Sequence, residues 1–156
     1  DWSAADAGAV EYIEQLLNAF SEPGEARIYG GGPARERFAR FQKLSRIKQL
    51  GWMAEVARLR RVYAEGLDAL NAQAVGRFAA LPSPAQLLLM ESQDFQNTTF
   101  FKALFNHVME GVYGHPVYGG NRDYISWRTL RYAGDVHGVR WLGGQESHAD
   151  QEPWRK

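Results

Sequence analysis

The sequence predicts an all-α fold, a single compact helical domain of about five helices followed by a long irregular C-terminal tail. Apolar residues recur at three- and four-residue steps along most of the chain, which is the spacing of one helix face. Glycine and proline gather in short stretches between these segments, as expected of loops. After Gly114 the helical spacing stops while aromatic residues continue, which predicts the irregular tail.

The first helix is predicted within "DAGAVEYIEQLLNAF", where Asp6 is positioned as the N-cap. The next stretch, "SEPGEARIYGGGP", is predicted to be a loop. Its glycines lack the spacing of a phosphate-binding loop. The apolar face of the first helix comprises Val10, Ile13, Leu16, Leu17 and Phe20.

Strong helix formers predominate from Ala34 to about Gly76. They predict one short helix and one long helix, with a break between Lys43 and Arg46. The basic run "RLRR" at 58–61 is interpreted as a solvated face because Glu55 and Glu65 flank it at helical spacing. The apolar stripe of this region comprises Phe38, Phe41, Ile47, Leu50, Met53, Val56, Leu59, Val62, Tyr63, Leu67 and Leu70.

Two further helices are predicted before the tail. Ser83 at the N-cap, Pro84 and Gln86 form a capping-box pattern that predicts a short helix. The segment "NTTFFKALFNHVMEGVYG" predicts an amphipathic helix that ends at Gly114. Its apolar face, interpreted as core, comprises Phe101, Leu104, Phe105, Val108, Met109 and Val112.

The chain is divided into a helical domain, residues 1–132, and an irregular extension, residues 133–156. Three of the five tryptophans follow Gly114, namely Trp127, Trp141 and Trp154. Aromatic side chains need a core or an interface. We therefore expect the extension to pack either on this domain or on a partner.

Composition excludes several classes of function. Cysteine is absent, which removes disulfides, iron–sulfur clusters and a thiol nucleophile. The histidines lack metal-ligand spacing, and no dinucleotide or nucleophile-elbow motif occurs. Eighteen basic residues balance eighteen acidic ones, so no net charge favours nucleic acid. No apolar run approaches the ~18 residues of a membrane span. We expect the isolated chain to bind no flavin, haem or metal.

The stretch "GVYGHPVYGGNRDYISWRTL", residues 111–130, is open to two interpretations. Gly119 and Gly120 permit positive φ or close backbone approach. Asn121 and Asp123 can cap a following helical turn. The planar guanidinium group of Arg122 can donate hydrogen bonds to a carboxylate or to backbone carbonyls. The stretch is therefore either a structured turn or a docking surface.

This stretch resembles the C-terminal signature of the gluconate 2-dehydrogenase subunit 3 family. Earlier segments also resemble that family: "AGAVEYIEQLL", "VYAEGLDALN" and "RFAALPSPAQ", so the resemblance spans residues 6 to 132. The residues that carry the signature are Phe100, Phe101, Glu110, Gly111, Pro116, Val117, Tyr118, Gly119, Gly120, Asn121, Arg122, Asp123 and Trp127.

The resemblance implies a non-catalytic small subunit that carries no cofactor. It implies a large FAD-containing partner of the glucose–methanol–choline oxidoreductase type and, in some complexes, a multihaem cytochrome c subunit. On this interpretation the docking or structural motif comprises Pro116, Tyr118, Gly119, Gly120, Asn121, Arg122, Asp123, Trp127, Trp141 and Trp154. The alternatives are a free-standing helical module that binds a small ligand and an autonomous enzyme.

The resemblance also implies a periplasmic location, reached through a twin-arginine signal that the small subunit carries for both subunits. The first residue of the chain is Asp1 rather than methionine. That start fits either a trimmed cytosolic protein or a chain whose signal segment has been removed. We expect a twin-arginine signal ahead of Asp1 in the precursor and none on the flavoprotein.

Overall fold

The computed structural model describes residues 1–21 and 44–132. Every regular element within these ranges is a helix, which confirms the predicted all-α fold. Residues 133–156 and the short helix predicted before residue 44 lie outside the described residues. The α-helices of the described ranges are α1 (Ala9–Leu17), α2 (Arg46–Gln73), α3 (Ser83–Glu91), α4 (Gln93–Gln96), α5 (Thr99–Tyr113) and α6 (Ile125–Thr129).

Helix α1 begins after Gly8, so the prediction of Asp6 as its N-cap is wrong. The Asp6 carboxylate instead accepts hydrogen bonds from the backbone N–H and the hydroxyl of Ser3, both at 2.8 Å. It therefore closes the turn that precedes α1. Val10, predicted on the apolar face, is 51% exposed, because the helix packs through a different stripe. The buried residues of α1 are Ala9, Tyr12 and Leu16.

Helix α2 begins at Arg46, within the predicted break. The Ser45 side chain caps it by accepting from the Lys48 N–H at 3.4 Å. The predicted apolar stripe is wrong in the first turns, where Ile47 is 84% exposed. The contact with α1 is centred further along the helix, which leaves these turns on the surface. The buried residues of α2 are Val56, Leu59, Tyr63 and Leu70.

The arginines of the basic run at 58–61 are exposed, as predicted. Two of them also form hydrogen bonds to other residues. Arg58 donates to both carboxylate oxygens of Glu55, at 2.8 and 2.6 Å. Arg60 donates to the carbonyl oxygen of Leu17 at 2.5 Å and to the hydroxyl of Ser21 at 2.6 Å. Arg60 thus satisfies a carbonyl at the end of α1, a favourable position for a cation.

Helix α2 ends in a Schellman motif that places a valine in a disfavoured conformation. The Val75 N–H bonds to the Ala72 carbonyl and the Gly76 N–H to the Asn71 carbonyl, both at 3.1 Å. Val75 has a φ of 52°, the left-handed region, which disfavours side chains by about 1–2 kcal/mol. Its side chain is 94% exposed, so packing does not compensate.

We expect Val75→Gly to raise the free energy of unfolding by about 1 kcal/mol, because glycine removes this strain. The larger entropy of unfolded glycine offsets part of the gain. Urea denaturation of the full chain measures this change in the free energy of unfolding. Ala74→Gly is the matched control: Ala74 has a φ of −74°, so glycine there should lower stability. Loss of stability in both variants would contradict the strain at Val75.

Helix α5 packs on both α1 and α2 and thereby organises the core. The Thr98 hydroxyl caps its start by accepting from the Phe101 N–H at 3.0 Å. Phe100 packs on α2, with its ring 5.5 Å from that of Tyr63. The predicted end at Gly114 is confirmed, although Gly114 is extended (φ −69°, ψ 174°) rather than left-handed.

The predicted apolar face of α5 is divided between two sides of the helix. Leu104, Val108 and Val112 point into the core. Phe105 and Met109 were also predicted as core, but they are 54% and 43% exposed. The prediction is wrong for these two residues because α5 is apolar on both sides, so spacing alone does not identify its buried face.

The capping box predicted for α3 is absent. Ser83 is the first residue of the helix, and Pro82 occupies the cap. The Gln86 side chain donates to the Phe78 carbonyl at 3.2 Å, so it ties α3 to the preceding 3-10 turn (Phe78–Ala80). Of the helices described, none combines the length and the hydropathy that crossing a bilayer requires.

Candidate functional site

The loop after α5 returns the chain to the ends of α1 and α5. A 3-10 turn, Pro116–Tyr118, leads into Gly119, which has a φ of 99°. The Asn121 N–H then bonds to the Gly111 carbonyl at 2.6 Å. The Arg122 N–H bonds to the Ala7 carbonyl at 2.9 Å. We call residues Gly119–Asp123 the GGNRD loop; its backbone is fixed to both neighbouring segments.

Asn121 is the centre of this loop and is fully buried. Its side-chain amide donates to the Gly114 carbonyl at 3.0 Å. Its side-chain oxygen accepts from the Ser126 N–H at 3.2 Å and from the Ser126 hydroxyl at 2.8 Å. Asn121 therefore links the end of α5 to the first turn of α6, as predicted for a helix-capping residue. Its φ of 44° is one that asparagine tolerates better than most residues.

Two glycines allow the loop to reach α5. A Cβ atom on Gly120 would overlap the carbonyl group of Gly111. A Cβ atom on Gly111 would lie 2.9 Å from the Ala9 Cα and 3.0 Å from the Tyr12 Cβ. Real Cβ atoms essentially never come closer than 3.0 Å to such neighbours, so a side chain at either glycine would force the backbone apart. The glycines thus permit α1, α5 and the loop to pack backbone against backbone.

Arg122 forms an ion pair with Glu11 of α1, on the surface beside the GGNRD loop. Both side chains are about half exposed, so solvent screens the pair and it contributes little stability. It confirms that the guanidinium of Arg122 meets a carboxylate, here one of its own chain. Asp123 is exposed, and its carboxylate does not cap α6, whose N-cap is Tyr124.

Trp127 closes the other side of the loop and is 8% exposed. Its indole N–H donates to the Tyr113 carbonyl at 2.8 Å, at the end of α5. Its ring lies 5.5 Å from that of His115 and 5.1 Å from that of Tyr132. Tyr118 is partly buried against the α1–α2 core. Trp141 and Trp154, the remaining expected anchors, lie outside the described residues.

A partly buried hydrogen bond that the sequence did not reveal joins α1 to α5. The Tyr12 hydroxyl donates to the Glu110 carboxylate at 2.6 Å, and Tyr12 is 2% exposed. Both residues lie in segments that resemble the family, but their separation of 98 positions gives no spacing signal. In the described part of the chain, every buried side-chain nitrogen and oxygen has a hydrogen-bond partner.

His107 lies between α5 and α2, where its ring stacks on Tyr63. The Tyr63 oxygen is 3.0 Å from His107 Nδ1. Burial, reinforced by the Glu110 charge, raises the pKa of Tyr63, so the phenol stays protonated and donates. Burial also lowers the pKa of His107, although the nearby Glu110 and Glu55 carboxylates oppose that shift and Arg58 adds to it. The histidine is therefore held neutral.

We expect His107 to make stability fall as pH falls below about 6.5, the usual histidine pKa. The pKa of His107 is depressed in the folded state, so the unfolded chain binds the extra proton first and acid favours unfolding. Denaturant unfolding at pH 7.5 and 5.5 measures the effect. His107→Asn, which keeps an acceptor near Tyr63, is the control that should lose this part of the pH dependence. An equal acid sensitivity of both proteins would contradict the assignment.

The polar groups in and around the loop bond mainly to other groups of the same chain. Asn121 and Ser126 are buried and bonded to each other, Asn121 also bonds to the Gly114 carbonyl, and the buried Tyr12 hydroxyl bonds to the partly buried Glu110. Within residues 1–21 and 44–132, no group of three or more histidine, aspartate or glutamate side chains is placed to hold a metal ion. The arrangement fixes the shape of the surface formed by α1, α5 and the loop.

Comparison with known proteins agrees with the resemblance carried by this loop. A family model described as gluconate 2-dehydrogenase subunit 3 matches residues 1–134. Searches of curated proteins and of solved structures each return no match. The matched range contains all of the described residues. The chain therefore belongs to the gluconate 2-dehydrogenase subunit 3 family.

Proposed function

We propose that this chain is the non-catalytic small subunit of a periplasmic FAD-dependent dehydrogenase that oxidises a sugar, sugar acid or glycoside. The observation that carries the proposal is the family match over residues 1–134. Membership of a dehydrogenase-subunit family supports a role within a complex. The catalytic partner in this proposal is a large FAD-containing subunit of the glucose–methanol–choline oxidoreductase type, with a multihaem cytochrome c as a further subunit in some complexes.

The geometry of the GGNRD loop supports a non-catalytic role. General acid–base catalysis needs a titratable group that reaches the substrate. Here the Glu110 carboxylate is bonded to a buried tyrosine, and Asn121 is fully buried. Arg122 is paired with Glu11 of the same chain. The groups that form the family signature are thus used to hold this chain together.

The proposed role of the subunit is to stabilise the flavoprotein and to escort it during export. A small subunit that carries the twin-arginine signal would deliver the folded, FAD-loaded partner to the periplasm. The FAD and the substrate site belong to the partner in this proposal. The chain itself contributes a rigid helical surface.

The experiment compares cells that produce a flavoprotein copurified with this chain, with and without the full precursor of this chain. FAD-loaded flavoprotein is measured in the periplasmic and cytoplasmic fractions. We expect periplasmic flavoprotein only when the small subunit is present. Equal export in its absence would contradict the escort role. A precursor that lacks a twin-arginine signal, or a signal on the flavoprotein itself, would contradict it as well.

A further inference from the structure

Two tyrosines on different helices bond to neighbouring polar residues of α5. The Tyr63 oxygen of α2 lies 3.0 Å from Nδ1 of His107, and the Tyr12 hydroxyl of α1 donates to Glu110 at 2.6 Å. Residues three positions apart in a helix are neighbours on one face, so His107 and Glu110 lie side by side. We call Tyr12, Tyr63, His107 and Glu110 the α5 polar cluster; it joins α5 to both α1 and α2.

The hydrogen bonds of the α5 polar cluster require a neutral His107. The Tyr63 hydroxyl donates to Nδ1 of His107, so this nitrogen carries a lone pair and no hydrogen. An imidazolium ion has a hydrogen on both ring nitrogens. In the charged form, Nδ1 and the Tyr63 hydroxyl would therefore meet as two donors, and a positive charge would lie between α2 and α5.

Two carboxylates and one guanidinium group act on that charge. On α2, Glu55 attracts it and Arg58 repels it, but both oxygens of Glu55 already accept hydrogen bonds from Arg58. On α5, Glu110 attracts it, and the oxygen Oε2 of Glu110 accepts from Tyr12. Opposite charges at this spacing in a helix attract each other favourably. Glu110 is therefore the carboxylate that a charged His107 draws toward itself.

We propose that protonation of His107 and the hydrogen bond from Tyr12 to Glu110 oppose each other, so that acid loosens the contact between α1 and α5. Coupling between two sites is reciprocal. If the charged histidine weakens the bond from Tyr12, loss of that bond must favour the charged histidine by the same factor. The proposal concerns this chain alone and does not depend on the proposed function.

The bond from Tyr12 lies next to the point where the GGNRD loop is anchored to α5. The Tyr12 Cβ is 3.0 Å from the position that a Cβ atom on Gly111 would occupy. The Gly111 carbonyl in turn accepts from the Asn121 N–H at 2.6 Å. Loosening of α1 therefore reaches the surface formed by α1, α5 and the loop. The α5 polar cluster makes the shape of that surface depend on pH below about 6.5, the usual histidine pKa.

The first experiment measures the proton affinity of His107 by NMR titration of the full chain. Tyr12→Phe keeps the buried ring and removes the hydroxyl, and we expect it to raise that affinity about twofold. Glu110→Gln should lower the affinity, and Tyr12→Phe added to Glu110→Gln should have no further effect. Tyr113→Phe is the matched control, because Tyr113 is 43% exposed on α5, and it should change nothing. An unchanged affinity in Tyr12→Phe, or the same rise with and without Glu110, would overturn the proposal.

A second experiment measures amide hydrogen exchange of the full chain at pH 7.5 and 5.5, corrected for the intrinsic effect of pH on exchange. At pH 5.5 we expect α1 and the Asn121 N–H to lose protection, while α2 around Leu70 keeps it. His107→Asn cannot take up the proton and should keep its protection at both sites. Full protection of wild-type α1 at pH 5.5 would overturn the proposal. An equal loss in all helices would also overturn it, since that pattern reports global unfolding.

Discussion

Asn121→Ala is expected to lower the free energy of unfolding by about 3–4 kcal/mol. The change leaves the Gly114 carbonyl and both Ser126 groups without the partner that bonds them at 2.8 to 3.2 Å. Each buried group left unsatisfied costs about 1–3 kcal/mol. Alanine also tolerates the φ of 44° less well than asparagine.

The melting temperature of the full chain measures this effect, and a fall of roughly 10 °C is expected for a chain of this size. Asp123→Asn is the matched control, because Asp123 is exposed and does not cap α6. It should change stability by less than about 0.5 kcal/mol. A variant at Asn121 that melts normally but binds the flavoprotein poorly would contradict this account. It would show that the loop contacts the flavoprotein and does not stabilise the fold of this chain.

Gly66→Ala is expected to destabilise the chain by about 2 kcal/mol, the cost of overpacking a close contact. Gly66 lies where α2 crosses α5, and a Cβ atom there would overlap the Cβ and ring of Phe100. Phe100 is 5% exposed and packs between Tyr63 and Phe95. The Phe100 Cβ atom cannot move without shifting the α5 backbone, so α2 and α5 would have to move apart.

The control for Gly66 lies in the same helix. A Cβ atom added at Gly51 would have no neighbouring atom within 4 Å, so Gly51→Ala should instead stabilise α2 by about 0.5–1 kcal/mol through better helix propensity. Urea denaturation of both variants gives the comparison. Equal effects of the two substitutions would contradict the close crossing of α2 and α5 at Gly66.

Much of the fold could be predicted from the sequence because its principal helices are long and periodic. The break before α2 and the end of α5 are marked by residues whose local chemistry is strong, such as Ser45 and Gly114. The starts of α1 and α3 were missed for a common reason. Asp6 and Gln86 are typical capping residues, but each bonds elsewhere, to Ser3 and to Phe78. Spacing does not decide between such competing partners.

The candidate site was predicted only in part. The residue types of the GGNRD loop indicated a turn that caps a helix, and Asn121 does so. The bond from Tyr12 to Glu110 joins residues 98 positions apart, a distance at which local pattern carries no information. The choice between the two apolar sides of α5 depends on where α1 and α2 pack. Phe105 and Met109 could therefore be assigned to the surface only once the packing was known.

This chain is proposed to work as a subunit and not as an enzyme or a free binding module. The most direct test purifies the native chain from its source under gentle conditions and measures flavin absorbance, subunit composition and dehydrogenase activity across one size-exclusion profile. We expect the chain to elute with an FAD-containing flavoprotein in constant ratio, the activity to follow this complex, and the separated chain to have none. Elution of the chain alone, or turnover by the separated chain, would contradict the proposed role.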